Sequence, residues 1–158
     1  MKTVKQIKVI TIKKIDKSFA KELSELLSNS SEEYTKYFTP FNFGFDTILK
    51  ILSEKKYDLY FGLFINETLA GFYMLRGFDE GYSIPSYGVF ISEKYTGKGL
   101  STLTLQHAIA HCRLNGIRKI MLKVHPDNHP AKHIYQNFGF EFVGIDTGNK
   151  NLIFEKKL

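Results

Sequence analysis

Polar and apolar residues alternate along QIKVITI (Gln6 to Ile12), the period of a half-buried strand. DKSFAKELSELLS then sets Phe19, Leu23, Leu26 and Leu27 at helical spacing, which predicts an amphipathic helix capped by Asp16 or Ser18. From Asn29 to Asp46 the pattern weakens: SEEYTKYF fits a short helix, and TPFNFGF an aromatic loop broken by Pro40 and Gly44. DTILKILSEK resumes helical spacing with Asp46 as its cap. The apolar runs YDLYFGLFI and TLAGFYMLRG flank Asn66-Glu67 and predict a hairpin. After the loop GFDEGYSIP, SYGVFIS reads as a largely apolar strand and LSTLTLQHAIAHCRLNG as a helix with Gly116 at its C-terminal end. RKIMLKVHP is another strand, and DNHPAKHIYQNFGF a helix begun by Asp127 or Asn128, with Pro130 tolerated in the first turn and a stop near Gly139. FEFVGID and NLIFEKKL form a closing hairpin through Gly148-Asn149. The predicted order is β-α-α-β-β-β-α-β-α-β-β, a mixed α/β fold with a central sheet. No repeat, low-complexity tract or linker interrupts it, so residues 1–158 are expected to form a single domain.

Composition agrees with a globular chain: 43% hydrophobic and 15% aromatic residues. No apolar run approaches the ~20 residues that a membrane span needs, so no membrane partner is expected. MKTVKQIKVITIKK carries lysines through its alternation and has no uninterrupted apolar region, unlike a secretory signal. The single cysteine, Cys112, allows no internal disulfide and is expected in a helix core; a cytoplasmic protein is the expectation. The net charge of +6 comes mostly from lysine, with only Arg76, Arg113 and Arg118 as arginines. Lysines at nearly every third position of the N-terminal stretch suit the solvent side of an edge strand and a helix. A surface that reads phosphates would be richer in arginine, so no nucleic-acid partner is expected. The basic balance modestly favours acidic ligands.

Chemistry concentrates around KYTGKGLSTLTLQHAIAH, where Gly97-Lys98-Gly99 opens onto a helix. Two glycines let the chain curl with N–H groups aimed inward, and the helix start adds unpaired donors and a positive dipole end. Such a loop is a competent anion cradle, or only a tight turn. The P-loop spacing G-x-x-x-x-G-K-[ST] is absent. A dinucleotide fingerprint would need a third glycine where Thr102 stands, and an acid about 20 residues on, where Lys119 to Lys123 holds none.

Two blocks together carry a family resemblance. VFISEKYTGKGLSTLTLQHAI resembles the central [QR]-x-x-G-x-[GA] motif of the GNAT family of N-acetyltransferases, with Thr96 in place of Gln or Arg and Ser101 in place of the last Gly or Ala. MLKVHPDNHPAKHIYQNFGF resembles the family's later segment, a strand followed by N-x-x-A-x-x-x-Y and a terminal G-F, onto which Asn128, Ala131, Tyr135 and Gly139-Phe140 fall. The order of elements agrees along nearly the whole chain. The resemblance implies a mostly antiparallel central sheet flanked by helices and acetyl transfer from acetyl-CoA, a co-substrate, to a primary amine. It also implies site residues: Gly97, Lys98, Gly99, Leu100, Ser101 and Thr102 on the CoA pyrophosphate, and Val89, Phe90 and Ile91 along the pantetheine arm. A backbone N–H near Phe90 or Ile91 would meet the oxyanion, Asn128 the pantetheine, and Tyr135 the CoA sulfur as general acid. Spacing agrees on one point: seven residues are close to two turns, so Asn128 and Tyr135 share a helix face.

No general base stands out. Lys123 occupies the position where some family members carry a glutamate; this weakens a protein N-terminal acetylating reading and would suit an acidic substrate. Tyr87, His125, Asp79, Glu80, Glu32 and Glu33, with water as relay, remain candidates. His107 and His111, and His125, His129 and His133, repeat every four residues, but Ala108 stands where HExxH needs Glu, and no metal is expected. YFTPFNFGF and RGFDEGYSIP are the expected acceptor-side walls. The expected acceptor is a small-molecule amine or amino sugar, the alternatives being a protein lysine or N-terminus, or a non-catalytic acyl-CoA-binding module. A monomer or homodimer is expected.

Overall fold

The structure, a computed structural model, describes residues 5–158. Among them, seven strands form one sheet: β1 (Ile10–Lys14), β2 (Leu59–Ile65), β3 (Thr68–Arg76), β4 (Ser86–Ile91), β5 (Lys119–Val124), β6 (Glu141–Ile145) and β7 (Leu152–Lys157). Their spatial order is β1-β2-β3-β4-β5-β7-β6, with every neighbouring pair antiparallel except β4–β5. Helices α1 (Ala20–Ser28), α2 (Glu32–Thr35) and α3 (Phe45–Glu54) precede β2; α4 (Leu100–Leu114) and α5 (His129–Asn137) flank β5.

Strands β2 and β3 read as unbroken apolar runs because both of their faces are covered. On one face Tyr60, Phe64, Phe72, Met74 and Phe90 pack against Leu23 and Leu27 of α1 and Ile48 and Leu52 of α3. On the other, Phe61, Tyr73, Leu75 and Tyr87 pack against Leu105, Ala108, Ile109 and Cys112 of α4, with Ala131, Ile134 and Tyr135 of α5 at the margin. Burial there pushes the Cys112 thiol up to about 11, so it holds no thiolate at neutral pH. No helix among the described residues is long and apolar enough to cross a membrane.

The element order matches the expected β-α-α-β-β-β-α-β-α-β-β except for one added helix before β2: the short helix of SEEYTKYF is present as α2, whose Ser31 side chain accepts from Tyr34 N. Asp16, rather than Ser18, caps the first helical segment, and Asn128 rather than Asp127 caps α5. Two boundaries differ. β1 starts at Ile10, not Gln6, because its partner β2 ends at Ile65 opposite Ile10. Only Asn66 remains to bind Val9, through its side chain at 2.9 Å and its backbone N–H at 2.7 Å. α3 starts at Phe45, with Gly44 at the cap position and Asp46 in the first turn.

Candidate active site

The parallel pair β4–β5 joins only through Ser86–Met121 and Tyr87–Leu122. Beyond Tyr87 the strands part, while β4 stays paired with β3 as far as Gly71–Ile91. One edge of Gly88 to Ile91 is therefore without a strand partner, and a cleft of 480 Å³ opens there. Which groups face it follows from strand alternation. Met121 N–H reaches Pro85 O at 3.0 Å, so odd-numbered residues turn toward β5; Ser92 N–H reaches Ala70 O at 2.8 Å, so even-numbered ones turn toward β3. Val89 and Ile91 thus present N–H and C=O to the cleft. Phe90 lines the cleft too, but its backbone turns to β3 and its side chain is buried beside Phe72.

Gly97, Gly99, Leu100, Ser101 and Thr102 lie along the same cleft; Lys98 is exposed and lies outside it. Gly97 and Gly99 take left-handed φ values of 74° and 78°, which glycine adopts without strain. Gly99 sits at the start of α4 without a side-chain cap, and the first intrahelical bond comes from Leu103 N–H. The N–H groups of Leu100, Ser101 and Thr102 are therefore free of helix partners at the positive end of the helix. Sequence reasoning missed the residue that holds this turn in place. Thr104, fully buried, donates to the carbonyls of Leu100 or Ser101 and shares a hydrogen bond of 3.2 Å with the Tyr87 hydroxyl, tying α4 to β4. Thr96 bonds Glu93 O at 2.9 Å and closes the preceding turn.

Asn128 and Tyr135 of α5 also line the cleft. The Asn128 side chain accepts from Ala131 N at 3.4 Å. The Tyr135 ring packs edge-on against Tyr87 and Phe140, with centroids 6.5 and 5.8 Å apart. No described residue hydrogen-bonds the Tyr135 hydroxyl, and burial pushes its pKa up to about 12. It is a phenol held neutral and facing the opening.

The candidate bases separate clearly. Tyr87 is buried and pushed well above its ordinary pKa by burial first and by Tyr135 next. Asp79 accepts from Tyr57 N at 2.6 Å and Lys56 N at 3.1 Å. That bonding ties RGFDEGYSIP to the turn before β2. No residue of this loop lines the cleft, which corrects its expected place as an acceptor wall and removes Asp79 and Glu80. Glu33 pairs with Lys36 at 2.6 Å, and Glu32 is exposed outside the cleft. Only His125 of the candidates lies in the opening alongside Tyr87. Lys123 lines it as well, but pairs with Asp146 at 2.6 Å, so its charge is balanced within the chain. His107 and His111 have structural contacts: His107 Nδ1 meets the Tyr73 hydroxyl at 2.6 Å, and both pack edge-on to Phe61.

Of YFTPFNFGF, Tyr37 and Phe38 line the cleft, whereas Phe41 and Phe43 pack against the core under α1 and α3. Tyr34, just before this segment, joins them and donates its hydroxyl to the Ile91 carbonyl, which has no strand partner on that edge. These aromatic residues lie on the α1–α3 side of the sheet; the glycine loop and Tyr135 lie on the α4–α5 side. The opening between β4 and β5 connects the two.

A sequence model described as the Acetyltransferase (GNAT) family matches residues 21–140. Over 104 residues the chain is 34% identical to spermine/spermidine N(1)-acetyltransferase of Bacillus subtilis, a match covering 61% of this chain and 68% of that protein. Over 94 residues it is 29% identical to mycothiol acetyltransferase of Corynebacterium glutamicum, covering 60% of this chain but 30% of the relative. The crystal structure of PaiA N-acetyltransferase from Thermoplasma acidophilum in complex with coenzyme A superposes with a TM-score of 0.76 at 23% identity, over 95% of this chain and 99% of that one. The chain belongs to the GNAT family, and with it to the acetyl-CoA-dependent N-acetyltransferases.

Proposed function

We propose that this chain moves an acetyl group from acetyl-CoA to a primary amine of a small molecule or amino sugar, by direct attack with both substrates bound. The parting of β4 from β5 carries the reading, because it joins a cofactor side to an acceptor side at one point. The N–H groups of Gly97 and Gly99 to Thr102 suit the pyrophosphate. Val89, through its N–H and C=O, and Ile91, through its N–H, offer the pantetheine arm hydrogen bonds of an added strand. Phe90, though adjacent, offers only van der Waals contact, and Lys98 at most a distant charge.

The neutral amine nitrogen attacks the thioester carbon from the Tyr34–Tyr37 side. As the C–N bond forms, negative charge grows on the carbonyl oxygen, where a Val89 or Ile91 N–H is placed to receive it. A donor of this kind is worth ~3–4 kcal/mol in well-studied hydrolases. The C–S bond then breaks, the Tyr135 hydroxyl donates its proton to the departing thiolate, and the surplus ammonium proton returns through water to restore the Tyr135 phenol. The small-amine preference rests on Tyr34, which reaches across to the edge of β4 and narrows the acceptor side.

Thiol release from acetyl-CoA, measured against amines, amino sugars and peptides, tests this. Turnover of a small amine or amino sugar is expected; tight CoA binding with no turnover of any acceptor would mean a binding module instead. Asn128 gives a finer check. Asn128→Ala is expected to cost about 0.5–1 kcal/mol through the lost cap and to raise the Kd for CoA. Asn128→Asp keeps the cap acceptor and is expected to restore stability, read by thermal melting, without restoring CoA affinity.

A further inference from the structure

On the acceptor side, Tyr37 and His125 stack with ring centroids 4.4 Å apart and planes inclined by 23°. They come from opposite arms of the opening, Tyr37 from just after α2 and His125 from just after β5. His125 Nδ1 accepts the Asp127 backbone N–H at 3.1 Å. An accepting Nδ1 places the proton of the neutral imidazole on Nε2. Nε2 has no partner among the described residues, so it is a free donor at the cleft. The same geometry sets His125 aside as general base, since its one lone pair is already engaged. The Asp127 carboxylate, 3.9 Å from Nδ1, is too distant to replace that bond.

Among the described residues, no carboxylate lines the cleft. Asp146 is held by Lys123, Glu33 by Lys36, and Glu32, Glu93 and Asp127 are exposed outside it. A polycation entering here would meet an imidazole N–H and a lysine already paired with Asp146, and no carboxylate in the described cleft wall to receive its remote ammonium groups. A hydroxylated ring, by contrast, can lay its apolar face on an aromatic platform while a hydroxyl oxygen accepts from Nε2.

We infer that Tyr37 and His125 form a flat, proton-donating seat for the acceptor, which takes an amine on an uncharged hydroxylated ring, an amino sugar, and discriminates against polyamines. The inference rests on the acetyl-transfer reading and names its substrate class. Glucosamine and spermidine, offered to the full chain with acetyl-CoA, are the probes, with thiol release as the readout. Glucosamine is expected to give a kcat/KM at least about 10-fold higher than spermidine. His125→Phe keeps the stack and removes the donor; it is expected to raise the KM for glucosamine about 5–10-fold, the worth of one neutral hydrogen bond, with KM for acetyl-CoA unchanged. His125→Gln, which restores an N–H near the Nε2 position, is expected to recover most of that loss, and a purely structural role would not produce this split. Preference for spermidine, or an unchanged glucosamine KM in His125→Phe, overturns the inference and leaves acetyl transfer standing. No turnover of either amine or of any other acceptor, with CoA still bound, overturns both.

Discussion

Tyr135→Phe is expected to lower kcat about 100-fold or more while leaving the KM for acetyl-CoA within about two-fold, the range in which a positioned general acid contributes. The substitution removes one oxygen and keeps the ring, so the edge-on contacts with Tyr87 and Phe140 survive and the fold should melt as before. The hydroxyl has no hydrogen-bond partner among the described residues, so its loss orphans no buried group. Burial disfavours the phenolate and pushes the pKa up to about 12. The donor form therefore persists as pH rises, and loss of this proton should not reduce kcat until pH nears that value. Normal turnover by Tyr135→Phe at every pH would show that another group, or water, protonates the thiolate.

Gly71→Ala should produce the largest loss of stability among single-methyl changes in the sheet. A Cβ at Gly71 would stand 2.6 Å from the Phe90 carbonyl oxygen and 2.9 Å from Ile91 Cδ1. The nearer atom is backbone, so relief requires β3 and β4 to move apart at the pair Gly71–Ile91. Overpacking of this kind costs about 1–3 kcal/mol, or about 3–10 °C in Tm for a chain of this size. Ile91 is also the residue whose free edge faces the cleft, so CoA affinity should fall together with Tm. Gly144→Ala is the control: a Cβ there meets nothing within 4 Å, and neither quantity should change. An unaltered Tm in Gly71→Ala would mean that the two strands relax around a methyl group without cost.

Much of the site was legible in the chain because it is local. Two glycines before a helix start, and an asparagine and a tyrosine seven residues apart, depend only on backbone conformations and the helical repeat. The strands and helices were legible for the same reason, since their periods are written in neighbouring residues. Boundaries were less so: β1 begins where its partner β2 allows, a matter of register between segments far apart in sequence.

What only the tertiary structure decided is long-range. Strand β4 loses β5 after Tyr87, and from that point alternation selects Val89 and Ile91 rather than Phe90 to face the cleft. Lys123 looked like a free cation until the closing hairpin brought Asp146 to it. RGFDEGYSIP looked like a substrate wall, yet Asp79 ties it to Lys56 and Tyr57. Tyr34, which no motif marks, reaches the edge of β4 only because α1 and α3 pack beneath its segment. The sequence by itself determined the elements, the anion-binding turn and the helix face bearing Asn128 and Tyr135, because each is set by residues within a few turns of one another. The partners across the cleft were decided by the fold, because strand register and sheet divergence depend on how distant segments pack.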